Sequence, residues 1–124
     1  MNRFILTVCV IFFSAFLHAA DKPIFRAGAA IVDITPKLFP LNMPGGFTAN
    51  MAESAHDPLN ARALVFDDGA TTLAMVVVDN LGAGPDVLDE AKDIASKKTG
   101  IPADKMLISS THSHSAAPLS AKGS

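Results

Sequence analysis

The chain has 124 residues, ten Lys and Arg against twelve Asp and Glu, and a formal net charge of −2. With so small an imbalance and no basic run, it offers nucleic-acid phosphates no binding surface, which excludes nucleic acid as a partner. A single cysteine excludes a disulfide framework and any cysteine-rich metal site.

The chain opens with Met1-Asn2-Arg3, an apolar run from Phe4 to Leu17, and the small pair Ala19-Ala20 before Asp21-Lys22-Pro23. That order of charge, apolar core and small-residue exit predicts a secretory signal peptide over residues 1–20, hence a secreted or periplasmic protein. Cleavage fits after Ala19 or after Ala20. The alternative is an uncleaved anchor, but the run is short of the roughly 20 residues that a bilayer span needs. Cys9 lies inside the run and leaves with it. A metal site in residues 21–124 therefore has only His56, His112, His114 and carboxylates to draw on.

Phe25 to Ile34 mixes small and β-branched residues and stops at Thr35-Pro36, which predicts a first strand, since proline ends pairing. Pro36 to Pro58, with Pro40, Pro44, Gly45 and Gly46, reads as a long irregular loop of the kind that usually carries function or motion. Ala61 to Phe66 and Thr71 to Asp79 flank Asp67-Asp68-Gly69, a hairpin turn signal. The unbroken apolar run Leu73 to Val78 predicts a central strand covered on both faces.

Gly84-Pro85 opens the clearest helix, with Val87, Leu88, Ala91, Ile94 and Ala95 as its expected inner face. Acidic residues near its start and Lys97-Lys98 near its end suit the helix dipole, and Gly100 and Pro102 end it. Met106 to Ser110 is then a short parallel strand. The predicted fold class is α/β: a mixed sheet with a β-hairpin followed by a βαβ crossover. The domain is expected to be incomplete, since no element follows Ser115 to close it.

On this layout Asp79-Asn80 and His112 both fall just past the carboxyl ends of adjacent parallel strands, where open α/β sheets bind ligands. His112 and His114 stand at i and i+2, on the same side of an extended backbone, and neutral imidazoles are zinc ligands. Two polar residues at a strand end, hydrogen-bonded by Thr111, Ser113 or Ser115, are the alternative. A catalytic zinc uses three protein ligands and an open position, so the pair is one part of such a site. Asp79 is either a partner orienting His112 or a strand-end cap. His56-Asp57 reads as a solvated turn, with a place facing the site as the alternative, and Gly45-Gly46-Phe47 as a pocket wall or a plain connector.

Four segments occur in order: Arg26 to Pro36, Asp57 to Val65, Asp79 to Gly82, and Ser110-Thr111-His112-Ser113-His114-Ser115. Together they resemble the N-terminal part of the neutral/alkaline non-lysosomal ceramidase family, over nearly all of residues 21–124. The last segment is similar to that family's Thr-His-Thr-His-Ser-Gly-Pro signature. The resemblance implies a zinc-dependent amide hydrolase acting on ceramide or a related amide, and a membrane-surface encounter if the amide is a lipid. It implies His112 as a Zn2+ ligand and His114 as the catalytic-site, substrate-binding histidine. The family's other ligands (a histidine, a glutamate and a tyrosine) and its catalytic serine lie further along than residue 124, and Ser115 is not that serine. Residues 21–124 are thus expected to be an N-terminal fragment, inactive alone. Where the signature has Ser-Gly-Pro this chain has Ser115-Ala116-Ala117-Pro118, adding a Cβ that bears on substrate choice more than on metal.

Two other readings stand beside this one. A secreted α/β binding or structural module would carry the histidines incidentally. Among other His-x-His metallohydrolases, the metallo-β-lactamase pattern needs Asp-His where Ala116-Ala117 stands, and an amidohydrolase places its pair after its first strand.

Overall fold

The structure, a computed structural model, describes residues 24–117 and 119. The expected signal peptide at 1–20 lies outside them.

Six strands and one helix follow in the order β1 (Arg26–Asp33), β2 (Leu41–Asn42), β3 (Met51–Ala52), β4 (Asn60–Asp67), β5 (Thr72–Val78), α1 (Pro85–Thr99) and β6 (Met106–Ser110). A single 3-10 turn at Ala103–Lys105 leads into β6. The main sheet runs β1-β4-β5-β6, and β2 pairs with β3 in a second, two-stranded sheet. β1 and β5 flank β4 antiparallel, whereas β5 and β6 are parallel, with Val76 opposite Ile108 and Val78 opposite Ser110. The fold class is therefore the expected one, a mixed α/β sheet with a hairpin followed by a βαβ crossover.

The hairpin loop is longer than the Asp-Asp-Gly signal suggested. Asp67 pairs with Thr72, leaving four residues to turn the chain. The Asp67 carboxylate accepts from the Gly69 N–H, and that of Asp68 from the N–H groups of Ala70 and Thr71. Gly69 takes the positive φ of 88° that the turn requires. Helix α1 starts at Pro85 and ends at Gly100, whose φ of 76° lets its N–H close on the Ser96 carbonyl at 2.9 Å.

Two expectations about burial need correction. Leu73, Met75 and Val77 of β5 are 40–46% exposed, so β5 is central in the sheet but covered on one face only. One crossover helix can cover only one side, and Ala74 and Met106 are buried there with Val76, Val78 and Ile108 half-buried. The helix face also differs. Val87, Leu88, Lys92, Ala95 and Ser96 are half-buried, whereas Ala91 is exposed and Ile94 is 47% exposed. Val87, Leu88 and Ala95 of the expected inner face are thus retained, and Lys92 and Ser96 stand in place of Ala91 and Ile94. No helix among the described residues is long and apolar enough to cross a membrane.

The Pro36–Pro58 stretch is not wholly irregular. The β2–β3 pair makes a short hairpin, tied by Met43 N–H to the Asn50 carbonyl at 2.8 Å and by Asn50 N–H to the Asn42 side chain at 3.0 Å. At the base of the stretch, Ile34 N–H donates to the Leu59 carbonyl and Leu59 N–H to the Thr35 hydroxyl. Both ends are thus held to the sheet, and the hairpin between them reaches the carboxyl ends of β5 and β6.

Candidate functional site

β5 and β6 end side by side at Val78 and Ser110, so their following loops leave the same edge of the sheet. Two backbone bonds stitch these loops together. Thr111 N–H donates to the Val78 carbonyl at 2.9 Å, and Ser113 N–H to the Asn80 carbonyl at 3.0 Å. His112 lies between the two bonds with a φ of 60°, in the left-handed region. A non-glycine residue held there costs about 1–3 kcal/mol, strain that concentrates at functional sites. The extended backbone expected for His112 to His114 is therefore absent, and a turn brings the two rings together instead.

The rings meet edge to face, with centroids 5.0 Å apart and planes at 82°. The Nδ1 of His112 is 2.8 Å from the Leu81 carbonyl oxygen, and the Nδ1 of His114 is 2.7 Å from that of Gly45. A carbonyl oxygen only accepts, so both Nδ1 atoms carry the proton and donate. A ring that is also neutral presents Nε2 as a bare lone pair. The two Nε2 atoms lie 3.4 Å apart, a spacing that a proton or a cation between them would bridge.

This donor set fits zinc. The metal takes neutral imidazole nitrogens, and its histidine ligands commonly donate the other ring N–H to a carbonyl, which fixes tautomer and ring angle. The Nε2–Nε2 separation of 3.4 Å also matches a tetrahedron's edge, which is about 3.4 Å for bonds of about 2.1 Å. Among the described residues no group of three or more His, Cys, Asp or Glu gathers to complete a metal site.

The other singled-out residues separate cleanly. Asp79 does not reach His112. Its carboxylate accepts from Asn60 N–H at 2.9 Å and Arg62 at 2.8 Å, the strand-capping alternative. Burial opposes its charge, but the Asn60 N–H, the Arg62 guanidinium and the Thr111 hydroxyl together outweigh this and hold the carboxyl below its ordinary value. His56 pairs with Asp57 at 3.2 Å with both side chains largely in solvent, and both residues also line the cleft beside the histidines. Asn80 is buried, and neither polar atom of its side chain bonds to a described residue. Ala116, standing where the signature has glycine, is fully buried.

The carbonyl partners left no sequence signal, since any residue type supplies one. Gly45 did leave a signal, as half of Gly45-Gly46, but nothing in the sequence tied it to a histidine 69 residues away. Beside the site, the hairpin and the 113–117 segment enclose a cleft of about 360 Å³. Pro36, Phe39, Met43 and Leu59 form its apolar walls, and Ser113 and Ser115 line it on the histidine side. Compared with known proteins, the chain matches no family model and no curated sequence.

Proposed function

We propose that this chain carries one corner of a zinc-dependent amide hydrolase resembling the neutral ceramidases, with His112 as a zinc ligand and His114 as the substrate-facing histidine. The observation that carries this reading is the pair of Nε2 lone pairs held toward each other by two separate backbone carbonyls. Incidental surface histidines would have no reason to commit both Nδ1 atoms to the backbone while leaving both Nε2 atoms bare. When bound, zinc supplies Lewis acidity toward an amide carbonyl and toward water.

The chain's own groups account for the rest. The Leu81 carbonyl keeps His112 in the one neutral tautomer whose Nε2 can ligate. The neutral His114 ring, with its proton on Nδ1, can only accept at Nε2, so it fits a substrate hydroxyl. It donates to a developing oxyanion only after taking up that proton. The adjoining cleft offers carbon walls from Phe39, Met43 and Leu59, with His56 and Asp57 also in its lining, which suits an amide that carries an apolar portion beside polar atoms. The bare sheet face supports the reading of residues 21–124 as part of a larger hydrolase domain that supplies the remaining ligands.

A second reading, favoured by the tetrahedral-edge spacing of the two Nε2 atoms, makes both histidines ligands of one ion. Zinc titration by calorimetry separates the two. Under the first reading, uptake is lost in His112→Ala and kept in His114→Ala. Under the second, either substitution abolishes it. Equal, weak uptake by wild type and both variants would sink both readings and leave a binding or structural module.

A further inference from the structure

We infer that Gly45 is a positioning residue for His114, which makes the tip of the β2–β3 hairpin a working part of the site. The hydrogen bond from His114 Nδ1 to the Gly45 carbonyl is 2.7 Å and spans 69 residues of sequence. The tip itself is held by the Met43–Asn50 and Asn50–Asn42 bonds, so that carbonyl is presented from a closed turn.

The glycine is required for space rather than for dihedral freedom. Gly45 is not among the positive-φ glycines, which are Gly69 and Gly100. A Cβ at Gly45 would collide with the His114 Cβ and come within 2.5 Å of the His114 Cα and carbonyl oxygen. Two of these three are backbone atoms, which no rotamer change can move aside. At Gly46 the same addition meets only Thr48, at 3.3 Å, and at Gly28 it meets nothing within 4 Å. Contact with His114 thus singles out Gly45.

The chemical consequence is at Nε2. A neutral imidazole free of a fixed partner exchanges its proton between the two nitrogens, and in the Nε2–H form it can neither ligate nor accept at that atom. By accepting from Nδ1, Gly45 removes that form and stops the ring from turning away from His112. Its bearing on substrate rests on the amidase reading above, whereas the tautomer lock stands on geometry alone.

The test is nitrogen-15 NMR on the full chain, reading which ring nitrogen of each histidine bears the proton. In wild type and in Gly28→Ala, His112 and His114 should both be Nδ1–H. In Gly45→Ala, His114 should lose that form while His112, held by Leu81, keeps it. Retention of the Nδ1–H form by His114 in Gly45→Ala would overturn the assignment. Should Gly45→Ala fail to fold, the bond is tested from its other end. An asparagine at 114 places its amide nitrogen near the Nδ1 position, and a glutamine places its own near Nε2. Amide exchange at Met43 and Asn50 should stay at the wild-type rate in His114→Asn and rise about fivefold in His114→Gln, as expected for one lost hydrogen bond. Equal rates in the two variants overturn the proposal. Zinc uptake by the wild type is measured separately, so a failed zinc reading and a failed Gly45 assignment give different results.

Discussion

The loops at the carboxyl ends of β5 and β6 and the open face of the same sheet stand a few residues apart, yet they satisfy their chemistry in opposite ways. In the loops, polar groups pair over short distances: Thr111 with Val78, Ser113 with Asn80, His112 with Leu81, His114 with Gly45. On the face, Leu64, Met75, Val77 and Leu107 remain 40–56% exposed. Phe25 stacks on Phe66 at 6.1 Å near its edge. Site geometry here is set by backbone bonds between neighbouring loops. A contiguous apolar face of this kind is unusual on a monomer.

This contrast can be broken or sharpened by measurement. The largest effect is expected at Met106, buried on the covered face of β6. Met106→Ala should cost about 2–4 kcal/mol in urea unfolding, through lost burial and the cavity left behind. A cost below about 1 kcal/mol would mean that this face is as loose as the other.

A middle effect is expected at Asp79, which joins the start of β4 to the end of β5. Asp79→Ala leaves Asn60 N–H without its side-chain acceptor and should cost about 1 kcal/mol. Zinc uptake should be unaffected, because Asp79 does not touch His112. A loss of uptake would return Asp79 to the role of a partner orienting the histidine.

Acid should act in the same direction through several carboxylates. Asp33 is held low by the Thr35 hydroxyl and N–H, and Asp67 by the Gly69 N–H with Thr72 and Arg26. The N–H groups of Ala70 and Thr71 do the same for Asp68. Asp79, despite its burial, is held low by the Asn60 N–H and Arg62. Their folded pKa values lie below the unfolded value of about 3.9, so the unfolded chain takes up protons first as pH falls. Their stabilisation is present above pH ~3.9 and declines below it, towards the folded values. Unfolding midpoints followed downward from pH 5 should therefore fall, and a flat profile would count against these bonds.

The smallest stability effect is expected on the open face. Leu107→Ser should change unfolding free energy by no more than about 0.5 kcal/mol, while reducing the binding of a hydrophobic dye. Leu107 is next to Met106 in the same strand, so this pair of substitutions compares the two faces directly. Equal costs at both positions would erase the distinction.

Much of the framework is legible in the sequence because local chemistry imposes it. Period and punctuation locate β1, the β4–β5 hairpin, α1 and β6 within a residue or two, because Pro36, Gly69, Pro85 and Gly100 act through their own backbone limits. The parallel pairing of β5 with β6 follows from the helix between them. These constraints also put Asn80 and His112 at one sheet edge.

Three things were decided only in three dimensions. Exposure of the second face of β5 depends on how many layers cover it, and an apolar run reads the same under one cover as under two. The meeting of His112 and His114 depends on a left-handed turn rather than on the alternation of a strand, and the backbone bonds of Thr111 and Ser113 on either side hold His112 in that uncommon conformation. The grip of Gly45 on His114 joins residues 69 positions apart. A carbonyl oxygen belongs to every residue alike, so sequence supplied the histidines, and the tertiary fold alone chose which carbonyls would aim them.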